Sequence, residues 1–195
     1  MHTLKGPQGT QVKLGVVRFG ESKVRDFLVT RDQIITHSVT AAYMLDETTG
    51  YIKIKNFSDN TYEEMVIALA QLSMEGFEQL VIDLRGNTGG YLHSAVDIAN
   101  QFLPRERLIV YTEGRRSPRE EYRSNGHGSY KYMPLVVLID EGSASASEIL
   151  AGAIQDNDRG TIIGRRSFGK GLVQQPIPFT DNSMMRLTIA RYYTP

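Results

Sequence analysis

Leu80-Val81-Ile82-Asp83-Leu84-Arg85-Gly86-Asn87-Thr88-Gly89-Gly90 sets a run rich in Val, Ile and Leu directly before a glycine turn, and Ala95, Val96, Ile98, Ala99 and Phe102 then fall on one side of a helix. The order is strand, tight turn, helix. It returns downstream: Leu135-Val136-Val137-Leu138-Ile139 is a continuous apolar run, the pattern of a strand covered on both faces, and Gly142-Ser143-Ala144-Ser145-Ala146-Ser147 leads from it into a helix over 148–155. Two such units predict an α/β domain with helices layered on a sheet.

Working outward, Thr61 and Glu64 have capping-box spacing, and Met65, Ala68, Leu69 and Leu72 recur at helical intervals until Gly76. Ile52 and Ile54 alternate with Lys53 and Lys55, predicting a strand over 51–55 after a turn at 46–50. Further upstream, Val12, Leu14 and Val16 alternate over 11–17, and 27–30 resumes the pattern after Gly20, which makes a small separate β unit. The transition between the two parts falls in 37–50. Strands are also expected over 108–111, 161–164, 171–175 and 184–193, whereas the charged, glycine-containing segment 113–131 reads as an irregular surface loop.

The chain has 195 residues, 41% of them hydrophobic, enough for one substantial core. Twenty-two basic residues balance twenty-two acidic ones without long blocks, so no general pull toward nucleic acid or anionic membrane is expected. Cysteine is absent, which excludes disulfides, a cysteine nucleophile and thiolate metal sites. No run approaches the roughly 20 apolar residues of a membrane helix, and the opening residues lack a signal peptide. Residues 4–20 read as the middle of a strand-rich unit, as in a piece of a longer protein.

The serine-rich segment lies where a buried strand turns into a helix, so a hydroxyl there sits beside unpaired backbone N–H groups able to stabilise an oxyanion. Helix capping is the plainer reading, since Ser is a preferred N-cap residue. Ser167-Phe168-Gly169-Lys170-Gly171-Leu172-Val173-Gln174 sets a lysine between two glycines in an extended apolar stretch. Driven inward, its amine loses water, the neutral form is favoured, and it can take a proton from a serine hydroxyl; a solvated strand lysine is the alternative. Gln174, four residues on, lies on the same strand face and is placed to hold the amine.

The 86–90 turn offers N–H groups to a reacting carbonyl or a phosphate. No Walker lysine with Ser or Thr follows, however, and the dinucleotide glycine spacing is absent. None of the four histidines (His2, His37, His93, His127) adjoins a pattern that marks a base, and no two have metal-ligand spacing.

Read together, Asp83-Leu84-Arg85-Gly86-Asn87-Thr88-Gly89-Gly90, the serine-rich turn, Gly169-Lys170-Gly171-Leu172-Val173-Gln174 and Tyr192-Tyr193-Thr194-Pro195 resemble, in order, the motifs of the carboxyl-terminal processing peptidases, or tail-specific proteases. Leu4-Lys5-Gly6-Pro7 and residues 12–18 resemble the closing strands of that family's PDZ module, and Tyr51-Ile52-Lys53-Ile54 the strand that opens its protease core. The resemblance implies an α/β fold of Clp-protease/crotonase-like ββα spiral type, with the C-terminal part of a truncated PDZ-like module at 1–37 and a serine protease core at 38–195, itself truncated at its C-terminus. It further implies Ser145 as nucleophile, Lys170 as base, Gln174 as the residue orienting it, and an oxyanion hole from Ala146 with Gly89 or Gly90. Ser143 and Ser147 become capping or packing residues, and Glu148 a structural acid. Thr88 departs from the proline found in many members.

The implied activity is endopeptidase cleavage of protein or peptide substrates with accessible C-termini. Neither cofactor nor metal is implied, nor any nucleic-acid partner, and homo-oligomerisation is left open. The family places it in the periplasm or cell envelope. A non-catalytic binding domain on a crotonase-like scaffold and an acyl-CoA enzyme are the competing readings; the latter predicts thioester turnover.

Overall fold

The computed structural model describes residues 4–33 and 36–195, so His2 lies outside the described residues. The chain divides into two compact units, Met1–Thr36 and His37–Pro195. Within the first, β1 (Gln11–Val16) and β2 (Arg25–Thr30) pair antiparallel, with Val12 opposite Val29 and Leu14 opposite Phe27. The expected β unit is therefore a hairpin.

The second unit is built on a five-stranded sheet of order β3-β4-β5-β8-β9: β3 (Val39–Met44), β4 (Thr49–Ile54), β5 (Gln79–Asp83), β8 (Leu135–Ile139) and β9 (Thr161–Gly164). β3 is antiparallel and the rest are parallel, linked through α1 (Thr61–Glu75), α2 (Leu92–Asn100) and α3 (Ala146–Asp156). Ile52, Ile82 and Val137 stand in register across β4, β5 and β8, each fully buried. α1 packs on β3 and β4 and α3 on β9, while α2 and α3 also meet β6 (Leu108–Gly114) of a second sheet. That sheet, ordered β10-β11-β6-β7, is antiparallel and adds β7 (Ser117–Arg123), β10 (Leu172–Pro178) and β11 (Met184–Tyr193).

Two expectations need correction. The 113–131 segment is not a structureless loop, because 117–123 pairs with β6 as an edge strand. Its charges belong to the strand: Arg119 and Arg123 flank Glu121 at 2.7 and 2.8 Å, while Tyr122 turns toward the core. Thr61 and Glu64 do not form a capping box either. The α1 N-cap is Asn60, and the Glu64 carboxylate instead accepts the amides of Ser38 (2.7 Å) and Val39 (2.8 Å), fastening the start of β3. β3 itself went unforeseen, since Val39-Thr40-Ala41-Ala42 does not alternate clearly between apolar and polar residues.

Because β5 and β8 are neighbours and parallel, the turns that leave their carboxyl ends lie side by side, at the position where α/β sheets present their sites.

Candidate active site

The turn after β5 and the turn after β8 are stitched together by side chains that short-range pattern reading does not reveal. Asn87 is fully buried; its Nδ2 donates to Ile54 O at 2.9 Å and its Oδ1 accepts the Gly89 amide at 2.9 Å. Its carbonyl accepts both the Ala144 amide and the Ser147 hydroxyl at 2.9 Å. Ser143 donates to Leu84 O at 2.8 Å, and Asp140 Oδ1 accepts the Gly86 amide at 2.8 Å and the Gly142 amide at 2.9 Å. Those backbone amides, with Ser143 and Arg165, hold the Asp140 carboxyl below the usual range. Ser143 and Ser147 are thus spent on structure, which leaves Ser145 as the serine of this turn facing a cavity.

Ser145 has φ +56° and ψ −114°, a conformation that non-glycine residues rarely adopt and that costs about 1–3 kcal/mol. It is also the N-cap of α3, in a capping box with Glu148, so the capping reading holds for this serine. Gly89, at φ +96°, packs so closely that a Cβ there would stand 2.7 Å from Ser145 Cβ and 2.5 Å from Ala144 O. Gly90 is pressed against Phe57, where a Cβ would meet Phe57 O at 1.8 Å. Gly89→Ala is therefore expected to displace the Ser145 turn and lower kcat about 100-fold, as a misplacement of about 1 Å does; steady-state kinetics checks this, and unchanged kcat would contradict it.

Lys170 lies just before β10, half-buried, and lines the same cavity of about 220 Å³ as Ser145, together with Glu148, Val110, Ile149 and Tyr192. Among the described residues its amine makes no hydrogen bond or ion pair; its backbone is what is fixed. The Glu148 carboxylate accepts the Lys170 amide (2.9 Å), the Gly169 amide (2.6 Å), the Ser167 hydroxyl (2.7 Å) and the Ser145 amide (2.8 Å). One half-buried acid joins both sides of the site. Gln174, by contrast, is exposed on β10 opposite Thr188, after a register shift between Val173 and Gln174, and is not among the residues lining that cavity. The Ala146 and Gly90 amides donate to no acceptor among the described residues, whereas the Gly89 amide is taken by Asn87.

Beneath the glycine turn, Asp83 is fully buried and receives Tyr51 Oη at 2.7 Å, Lys53 Nζ at 3.2 Å and Arg85 at 2.7 and 3.0 Å. Parallel register puts Lys53 beside Asp83. Burial alone raises the Asp83 carboxyl, but hydrogen bonds from Arg85, Tyr51 and Lys53 outweigh it and hold the group well below the ordinary carboxylate range; burial and Asp83 push Tyr51 up to about 12.

The signs fix two pH limbs. Asp83, lowered in the folded state, contributes stability that is present above about pH 4 and is lost as pH falls below it. Tyr51, raised, contributes stability below about pH 10 that is lost as pH climbs through its folded value. Arg85 and Lys53 keep 51% and 34% side-chain exposure, so they remain partly solvated when their partner is removed. Asp83→Asn is accordingly expected to cost about 2–3 kcal/mol at pH 7 and to flatten the acid limb. Thermal unfolding between pH 3 and 7 measures both; parallel curves for parent and variant would refute the network.

In this α/β protein a strained serine lies in a turn at the carboxyl ends of parallel strands and shares a cavity with a lysine. Residues 48–195 match peptidase family S41, and the chain belongs to that family. It is 42% identical to the carboxyl-terminal-processing protease of Synechocystis sp. over 98% of this chain and 45% of the relative. It is 37% identical to a carboxy-terminal processing protease of Bacillus subtilis over 98% of this chain and 40% of that one. The solved photosystem II D1 C-terminal processing protease superposes with a TM-score of 0.72 at 33% identity, over 97% of this chain and 52% of that chain. The chain thus spans about half the length of the curated relatives it matches. Relatives come from bacteria and chloroplasts, and no helix among the described residues is long and apolar enough to cross a membrane.

Proposed function

We propose that this chain carries the catalytic core of a serine endopeptidase that cuts protein substrates in or near their C-terminal regions, with Ser145 as nucleophile and Lys170 as general base. The observation that carries the reading is the Glu148 carboxylate, which binds the Ser145 and Lys170 amides at 2.8 and 2.9 Å and so holds the strained serine and the lysine loop around one cavity. Lys170 takes the Ser145 hydroxyl proton as Oγ attacks the peptide carbonyl, then returns it to the leaving amine. Water, deprotonated by the same amine, releases the acyl-enzyme. The tetrahedral oxyanion is received by the Ala146 amide and by Gly90, whose amide is unspent, in preference to Gly89. Gln174 is carried on β10, the strand that follows Lys170, and in this reading it orients the lysine amine.

The fold in its finer description is a Clp-protease/crotonase-like spiral of ββα units, and the β1–β2 hairpin is the closing part of a PDZ-like module. The names of the relatives support C-terminal processing as the activity, and the setting proposed with it is the periplasm or cell envelope. The test is incubation of the full-length protein, beside Ser145→Ala, with unfolded substrates bearing apolar tails, products being identified by mass spectrometry. Cleavage near the C-terminus by the parent alone is expected; equal cleavage by Ser145→Ala would overturn the assignment.

A further inference from the structure

We propose that the hairpin of β10 and β11 is a track for the substrate chain, its apolar face taking apolar side chains of an extended, unfolded polypeptide that leads into the cavity holding Ser145 and Lys170. The inference rests on the Ser145/Lys170 reading and deepens it by saying where the substrate lies beyond the cut bond.

The register decides which residues share that face. Paired residues on antiparallel strands point to the same side, and neighbours along a strand alternate. Tyr192, opposite Thr112 of β6, lines the cavity and packs against the core, and Ala190, two residues back, is buried opposite Val173. Plain alternation along β11 would then put Leu187 and Met185 on the opposite face. A bulge prevents this. The register passes from Val173 opposite Ala190 to Gln175 opposite Leu187, so three steps along β11 answer two along β10 and the alternation of β11 reverses. Gln175 with Leu187 and Ile177 with Met185 therefore continue the face of Tyr192, while Pro176 with Arg186 and Pro178 with Met184 fall on the other. The result is an apolar run of Tyr192, Ala190, Val173, Leu187, Ile177 and Met185, about 20 Å long.

Among the described residues β6 pairs with β11 only at Arg191–Tyr193, so beyond Ala190 the hairpin is a two-stranded ribbon on which Leu187 and Met185 are exposed. Two strands gain little stability from their own pairing, and an open apolar face on them calls for a partner. β10 is the edge of its sheet, but Pro176 and Pro178 take amides away from that edge, which opposes an added strand and leaves the face to do the binding. The partner is the substrate because the face runs without a break into the cavity through Tyr192, and because β10 leaves directly from the Lys170 loop. Leucine and the flexible methionine make no hydrogen-bonding demand, so they accept the varied apolar sequences that an unfolded chain presents.

The test uses Met184 and Met185, neighbours on opposite faces that are 63% and 41% exposed, as paired reporters. Full-length Ser145→Ala, which under this reading binds substrate without cutting it, is treated with hydrogen peroxide in the absence and presence of a reduced, carboxymethylated protein bearing an apolar C-terminal tail. Mass spectrometry then measures sulfoxide at each methionine. Expected is oxidation of Met185 slowed at least threefold by the substrate, with Met184 unaffected. In the active protein, Met185→Ser/Leu187→Ser should raise KM for that substrate about tenfold at unchanged kcat and Tm, as for two partly buried apolar side chains. Arg186→Ser, on the other face, should leave KM within twofold. Met185 oxidised equally with and without substrate, Met185 already protected in the free protein by its own chain or by a second copy, or an unchanged KM in the double variant would overturn the track and leave the Ser145/Lys170 reading intact. Cleavage by Ser145→Ala would overturn that reading, and the track with it.

Discussion

Lys170→Ala is expected to lower kcat by about 10³-fold or more while the protein unfolds within a few degrees of the parent. Removal of a positioned base typically costs 10²–10⁴-fold, and here the same amine serves acylation and deacylation. The fold is indifferent because the amine makes no hydrogen bond or ion pair among the described residues, and the backbone of residue 170 is held through its amide by Glu148 at 2.9 Å. Only the unprotonated amine accepts the serine proton, so turnover of the parent should rise with pH. Steady-state assays across pH with thermal unfolding of both proteins decide it. Retained turnover in the variant removes Lys170 from the mechanism.

The second large effect is expected at Glu148. Its carboxylate gathers four donors, from Ser145, Ser167, Gly169 and Lys170, at 2.6–2.9 Å. Glu148→Ala frees both sides of the cavity at once and leaves four donors to find water. Bonds to an ionised acceptor are worth about 1.5–3 kcal/mol each, and several are lost together. A stability loss of about 3 kcal/mol and a kcat loss near 100-fold are expected, with Glu148→Gln intermediate because the amide retains one accepting oxygen. Serine labelling by a fluorophosphonate should slow in parallel with kcat. If stability falls while labelling of the folded protein is unchanged, Glu148 is a structural anchor only.

The units of strand, turn and helix were legible because glycine turns and apolar runs are local signals. Residues 80–84 and 135–139 read correctly as buried strands, and β5 and β8 sit at the middle of the sheet. β7 was hidden by its composition: an edge strand needs only one apolar face, and Ser117-Pro118-Arg119-Glu120-Glu121 carries its charges outward. Glu64 has the spacing of a helix-capping residue, but its carboxylate goes to β3, a partner 25 residues away in sequence. The same long-range character explains Asn87 and Glu148, most of whose partners come from other elements of the chain. Ser145 and Lys170 were each ambiguous in isolation, since capping serines and strand lysines are common. Family motifs in order pointed to them, and topology brings the two to one cavity.

The most direct measurement is peptide mapping of the fluorophosphonate-treated full-length protein, parent and Lys170→Ala, over a range of pH. A single adduct on Ser145, formed faster as pH rises and nearly abolished in the variant, is the predicted result. An adduct on another serine, or equal labelling of the two proteins at every pH, would contradict a Ser145 nucleophile activated by Lys170.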